Sequence, residues 1–250
     1  MKIKDDRKSF ERQKKLRILE QGKNKKLIRC ADDFLIEASR AKYTYNFSWL
    51  GVPIFQHPED LVAVQEIIFR VRPKVIVDIG TARGGSALFY ASLLKLGSGG
   101  RVISVDIDIR PHNRDTIEKH PLGARVELIE GSSTDPATFM RVKKSIGRES
   151  PVLIALDSLH TGDHVLAELA LYSALITKGS YLVVFDTILN KLPRETYPLD
   201  HAARPWGPDN NPATAVKKFL AAHRNFVCDA AIDHQLLVSA APGGYLKRIR

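Results

Sequence analysis

The segment Val75-Ile-Val-Asp78-Ile-Gly80-Thr-Ala82-Arg-Gly84-Gly85-Ser86 constrains the fold of this chain more than any other. A β-branched run ends in an acid and a glycine-rich turn, and an apolar, helix-compatible stretch (Ala87-Leu-Phe-Tyr-Ala-Ser-Leu-Leu) follows at once. Strand, tight turn and helix N-terminus in that order form the first half of a nucleotide-binding βαβ unit. Glycines let the backbone approach a ligand closely, and the first helical turn offers free N–H groups. Such turns also occur for packing alone. The spacing from Gly80 to Gly84 is not the G-x-G-x-x-G of dinucleotide enzymes, which disfavours an NAD-dependent oxidoreductase. An acid two residues before the first glycine suits a cofactor with a positively charged, amino-acid-like end, such as S-adenosylmethionine. Asp78, Gly80, Ala82, Gly84 and Ser86 are the candidate cofactor-binding residues of this turn.

From here strands and helices alternate. Strands are predicted at Val75–Val77, Val102–Val105, Val126–Ile129, Val152–Leu156 and Tyr181–Phe185, with Phe226–Ile232 and Gln235–Ser239 as a closing pair. Helices are predicted at Glu59–Phe69, Ser86–Leu96, Pro111–His120, Asp135–Ile146, Asp163–Ile176 and Pro212–Ala222. The alternation implies an α/β, Rossmann-like fold: a mostly parallel seven-stranded sheet with helices on both faces. Residues 46–58, with Phe47, Trp49, Gly51 and two prolines, read as a structured loop near the site. The Pro/Asn/Asp-rich stretch 188–211 exceeds what a connector needs and reads as a lid.

At 250 residues the chain suits one α/β domain. Its net charge of +10 is uneven: residues 1–30 hold 12 Lys/Arg against four acids, so nearly all of the excess lies in the leader. Residues 1–45 therefore read as a basic helical extension and 46–250 as the folded domain. The leader suits a solvated helix or one that docks on a partner subunit in a homo-oligomer. Only Phe10 is interleaved for base stacking, which argues against nucleic acid; contact with an anionic membrane surface stays open. No apolar run approaches a membrane span, no signal-peptide core is present, and Cys30 and Cys228 lie far apart. A reduced, cytoplasmic setting is the simplest expectation.

Ligands of open α/β sheets bind beyond the carboxyl ends of the strands. Four predicted strands end there in an acid: Asp78, Asp106, Asp157 and Asp186. Asp106 suits a ribose diol, with Asp108 as the competing choice or simply a solvent-facing acid. Ser133 and Thr134 suit an adenine edge, or merely cap the following helix. Asp157 and Asp186 close adjacent strands, and two carboxylates forced together repel unless one is protonated or a cation lies between them. Hard oxygen ligands favour Mg²⁺; a metal-free site with an aspartate as general base is the alternative. His160, three residues after Asp157, is placed to take a proton from a substrate hydroxyl. His164 either supports it or is a surface helical histidine. His57, His112 and His201 are further pocket candidates that the sequence does not rank.

With these residues in hand, the chain resembles the cephalosporin hydroxylase/rhamnosyl O-methyltransferase family over residues 43–240. The resemblance is carried by Trp49-Leu-Gly-Val-Pro-Ile-Phe-Gln, Asp78-Ile-Gly-Thr-Ala-Arg-Gly-Gly-Ser and Val105-Asp-Ile-Asp-Ile-Arg-Pro-His-Asn-Arg. Gly131-Ser-Ser-Thr-Asp-Pro, Leu156-Asp-Ser-Leu-His and Gly179-Ser-Tyr-Leu-Val-Val-Phe-Asp-Thr complete it. It implies a class I S-adenosylmethionine-dependent methyltransferase, with Gly80, Ser86, Asp106 and Ser133 at the cofactor and Asp157 and Asp186 at Mg²⁺. Catechol-type O-methyltransferases look similar, with a basic residue where His160 stands. The chain departs from the family in Phe185, where members can carry a glutamate, and in Gly162, where a second histidine is common.

The expected function is O-methylation of a hydroxyl on a sugar, in a glycolipid, a surface polysaccharide or a glycosylated natural product. Asp157 and His160 are its catalytic residues. The rival readings are a nucleic-acid methyltransferase that uses the leader, and a homologue weakened by loss of the glutamate.

Overall fold

The computed structural model describes residues 5–193 and 205–250. The chain begins with helices α1 (Arg7–Gln21) and α2 (Lys25–Arg40), the second capped by the Asn24 side chain. Strands β1 (Phe47–Trp49) and β2 (Val52–Ile54) follow. Alternation then runs through α3 (Pro58–Val71), β3 (Val75–Ile79), α4 (Gly85–Leu96), β4 (Arg101–Asp106), α5 (Pro111–Lys119) and β5 (Val126–Glu130). It continues through α6 (Pro136–Ile146), β6 (Val152–Leu156), α7 (Gly162–Tyr172), β7 (Tyr181–Val184) and α8 (Pro212–Ala222). The chain closes with β8 (Phe226–Cys228), α9 (Ala230–Leu236) and β9 (Tyr245–Arg248).

The main sheet has seven strands in the order β5-β4-β3-β6-β7-β9-β8, with β9 antiparallel to both neighbours. The other pairings are parallel. This is the class I methyltransferase topology expected from the sequence. Side chains alternate across the sheet with period two. Ile76, Val102, Leu153 and Val183 pack under α3 and α4, while Val75, Val77, Ile103, Ile154 and Leu182 pack under α6, α7 and α8. Both faces are dry, which explains why these strands read as continuous apolar runs. The strand order reverses between β3 and β6, so the crevice at their carboxyl ends is where this architecture holds a ligand.

Two sequence expectations need correction. Residues 46–58 are not only loop: β1 and β2 form a hairpin whose turn, Leu50-Gly51, takes positive φ at both residues. Trp49 of this hairpin packs edge-on against Phe89 and donates to Ser92 Oγ, fastening it to α4. The closing strands also lie elsewhere. The Asp229 carboxylate accepts from Ala231 N and starts α9 where the first strand of the pair was expected to continue. The region 235–239 is not a strand, and β9 forms at the C-terminus instead, where Gly244 lets the backbone meet Val184 O.

Ser239 and Ala240 turn inward to Asp60, at the start of α3. Its carboxylate is fully buried and accepts from Ser239 Oγ (2.6 Å), Ala240 N (2.7 Å) and Tyr245 Oη (2.5 Å). Burial pushes this carboxyl up to about 6 against those three donors. Between its ordinary value of 3.8 and that value, the unfolded chain has released a proton that the folded chain still holds. Raising the pH through this window therefore favours unfolding at this group. Denaturant unfolding of wild type and Asp60→Asn across pH 4 to 7 tests this. The stability of wild type relative to the variant should fall between about pH 4 and 6 and level off above. A difference that rises with pH would contradict it.

The basic leader docks on its own chain. Gln21 Nε2 donates to the carbonyls of His234 and Gln235, Lys14 lies 3.6 Å from Glu66, and α2 buries Ala31, Leu35 and Ala38. No described helix is long and apolar enough to cross a membrane.

Candidate active site

β3 delivers Asp78 to the edge of the sheet on the same face as Ile76, beneath the N-terminus of α4. Its Oδ2 accepts from Ser86 Oγ and Ser104 Oγ, both at 2.9 Å. Burial pushes this carboxyl up to about 7; the two hydroxyls pull it down, and Asp106 pushes it up further. Asp106, at the end of β4, accepts from Ala82 N (3.0 Å) and Asp108 N (3.3 Å), which ties it to the glycine-rich turn. Asp78 and Asp106 thus flank the same glycine-rich turn. Two of the lone-pair positions on Asp106 are used, which leaves acceptors free for a diol. Asp108 is exposed beside Arg110, in line with a solvent-facing acid.

Two glycines of this turn are also packed closely against the rest of the chain. A Cβ on Gly80, where φ is +105°, would lie 1.9 Å from Asp157 O, and one on Gly84 would strike Ile117. The close approach is protein against protein: Gly80 lets the β3 turn touch the β6 end across the reversal point. Ala82 itself takes a left-handed φ of 45°, held by Asp106 on its N–H and Asn113 on its carbonyl.

Beyond β6 and β7 the side chains of Asp157, His160 and Asp186 converge, with one ligand atom from each within 4.8 Å of the others. His160 Nδ1 donates to Asp186 Oδ2 at 2.5 Å, which fixes the ring and leaves Nε2 as its second functional nitrogen. Asp186 holds a left-handed φ of 55°, a conformation uncommon outside glycine that aims its carboxylate at this cluster. Burial and then repulsion from Asp186 raise the Asp157 carboxyl well above the usual range. For His160, burial acts downward but Asp186 outweighs it, and the imidazole rises to about 9. Trp206, in the 188–211 stretch, packs its ring 4.9 Å from that of His160.

Gln56, which the sequence reading did not single out, reaches in from the segment after β2 and donates from Nε2 to Asp157 Oδ2 (2.8 Å). Its Oε1 and the Nδ1 of His57 are buried and have no partner among the described residues. The signal was present in the aromatic motif that ends at Gln56, but only the tertiary structure aims it. Burial lowers the His57 imidazole, which sits close enough to Asp186 to feel its charge. His112 is exposed beside Arg83, and His201 lies outside the described residues. Phe185, at the point of departure from the family, is buried in the core beneath α3 and α4.

The turn after β5 places Ser133 almost fully inside, where its Oγ donates to Glu168 Oε1 (2.5 Å) and lies 3.2 Å from His164 Nε2. Thr134 pairs with Ser132. The helix cap weighed for Ser133 and Thr134 belongs to Asp135, which accepts from Thr138 N. His164 is not a lone surface histidine, because its Nε2 also lies 3.2 Å from Glu168.

A group of two carboxylates and an imidazole, with an orphaned amide oxygen alongside, fits a divalent cation: the charge it would carry relieves the repulsion that Asp157 and Asp186 impose on each other. Asp78, Asp106 and Ser133 stand beyond the carboxyl ends of β3, β4 and β5, the edge at which this architecture holds ligands. Comparison with known proteins points the same way. The sequence model of the family Rhamnosyl O-methyltransferase/CmcI matches residues 41–249. A rhamnosyl O-methyltransferase of Mycobacterium leprae (strain TN) is 33% identical over 169 residues, 64% of this chain and 71% of that protein. One of Mycobacterium bovis (strain BCG / Pasteur 1173P2) is 29% identical over 229 residues, 86% of each chain. A CmcI structure with Mg and SAM superposes with a TM-score of 0.57 at 19% identity, covering 82% of this chain and 78% of its own. The chain therefore belongs to the rhamnosyl O-methyltransferase/CmcI family of S-adenosylmethionine-dependent O-methyltransferases and carries their class I methyltransferase fold.

Proposed function

We propose that this protein methylates a hydroxyl of a sugar, in a glycolipid, a surface polysaccharide or a glycosylated natural product, assisted by a divalent cation. The observation that carries the reading is the convergence of Asp157, His160 and Asp186 at the carboxyl edge, beside Asp78 and Asp106. S-adenosylmethionine, when bound, supplies an electrophilic methyl carbon on a sulfonium. Mg²⁺, which one structural neighbour carries, supplies Lewis acidity toward a hydroxyl.

The chain's own residues do the rest. Asp78 receives the cationic amino-acid end, with Ser86 and Ser104 holding its carboxylate in place. Gly80, Ala82 and Gly84 shape the turn, Asp106 takes the ribose, and Ser133 and Thr134 edge the base. Asp157 and Asp186 hold the cation, and Gln56 fixes the rotamer of Asp157. With the charge of Asp157 and Asp186 offset by a bound cation, the His160 imidazole would lose the influence that raises it, and its Nε2 could then accept the hydroxyl proton while Asp186 holds Nδ1. Much of the acceleration comes from holding the acceptor oxygen and the methyl carbon in near-attack geometry. Trp206 covers the His160 ring and shields it from water; residues 194–204 of the stretch read as a lid lie outside the described residues.

Incubation with methyl-labelled S-adenosylmethionine, Mg²⁺ and rhamnosyl glycosides, followed by mass spectrometry, tests the reading. The label should appear on a sugar oxygen and not on nucleic acid supplied in parallel. Label on nucleic acid alone would overturn it.

A further inference from the structure

Glu168, on α7, is fully buried, yet none of the roles above uses it. Its Oε1 accepts from Ser133 Oγ (2.5 Å), beyond β5, and from Ser158 Oγ (2.6 Å), beyond β6. His164 Nε2 stands 3.2 Å from the same oxygen, and Oε2 is buried with no partner among the described residues. One carboxylate oxygen therefore gathers hydroxyls from two strand ends that are not neighbours in the sheet. An ionised carboxylate only accepts, whereas a serine hydroxyl has one hydrogen and two lone pairs. With both hydrogens committed to Glu168, each hydroxyl turns only lone pairs toward anything else, and His164 takes up at most one of those on Ser133. Both contacts are short, which holds this polarity firmly.

Two acceptors side by side match a group with two hydrogens to give, such as the exocyclic amine of adenine. They oppose a carbonyl oxygen in the same place. We propose that Glu168 presents Ser133 and Ser158 to the cofactor pocket as hydrogen-bond acceptors, so that the site selects a 6-amino purine over a 6-oxo purine. This rests on the reading, made above, that Ser133 edges the adenine. Glu168 is a positioning residue, because it acts through the two serines.

Calorimetric titration with S-adenosylhomocysteine and with its 6-oxo analogue, S-inosylhomocysteine, tests the proposal. Wild type should prefer the adenosyl compound by about 10- to 100-fold, the range expected when buried acceptors are left facing an acceptor. In Glu168→Met the hydroxyls are free to rotate, and the preference should collapse to a few fold. Glu168→Gln, whose carbonyl still accepts, should restore part of it, which a merely structural role would not produce. If Glu168→Met does not fold, Ser133→Ala removes one acceptor and should narrow the preference. A preference unchanged in the folded variants, or absent in wild type that binds S-adenosylhomocysteine, would overturn the proposal and leave the cofactor reading standing. Failure of wild type to bind either compound would remove that reading, and this inference with it.

Discussion

Asp157→Asn should lower kcat for methyl transfer by about 10³-fold or more, since Lewis-acid and orientation effects contribute several kcal/mol at about 1.4 kcal/mol per decade. The substitution is close to isosteric. An asparagine oxygen can still accept from Gln56 Nε2, so the rotamer is kept while the charge is lost. The backbone of residue 157 continues to pack against Gly80, so the β3 turn and the cofactor crevice stay formed. S-adenosylhomocysteine should therefore bind the variant with nearly wild-type affinity while turnover is lost. Steady-state kinetics beside calorimetry separate the two. A variant that turns over at the wild-type rate would show that Asp157 holds nothing the reaction needs.

His160→Ala should lower kcat by about 10²- to 10⁴-fold, the range for removal of a positioned general base. Asp186 keeps Nδ1 of the ring engaged, so the residue has one nitrogen left with which to act on a hydroxyl. Added imidazole should recover part of the lost rate, because the alanine variant leaves room between Asp186 and Trp206. The acceptor KM should change little. If the rate is lost but imidazole restores nothing and the KM rises instead, the residue shapes the pocket and does not take the proton.

The fold was legible because parallel strands buried on both faces announce themselves as β-branched runs. Val75–Ile79 and Val152–Leu156 could be read almost to the residue. The C-terminal strands could not. Residues 235–239 are apolar enough for a strand, but Asp229 caps a helix ahead of them and Asp60, distant in sequence, draws Ser239 and Ala240 inward. The strand-end aspartates were visible as a pattern because a strand terminus fixes where its side chain emerges. Gln56 and Glu168 were not visible in this way. Each acts through a contact about 100 residues away for Gln56 with Asp157 and 35 for Glu168 with Ser133, and nothing local to either predicts it. The glycines were read as places where the backbone approaches a ligand, whereas the structure brings the Asp157 carbonyl against Gly80, a contact that no spacing rule reveals.

The most direct check is titration of the wild-type protein and Asp157→Asn with S-adenosylhomocysteine, each with and without Mg²⁺. One saturable nucleoside site in both proteins, with magnesium binding seen in wild type and lost in the variant, is the expected outcome. Magnesium binding that survives the loss of that carboxylate, or a wild-type protein blind to the ion, would contradict a catalytic cation held between Asp157 and Asp186.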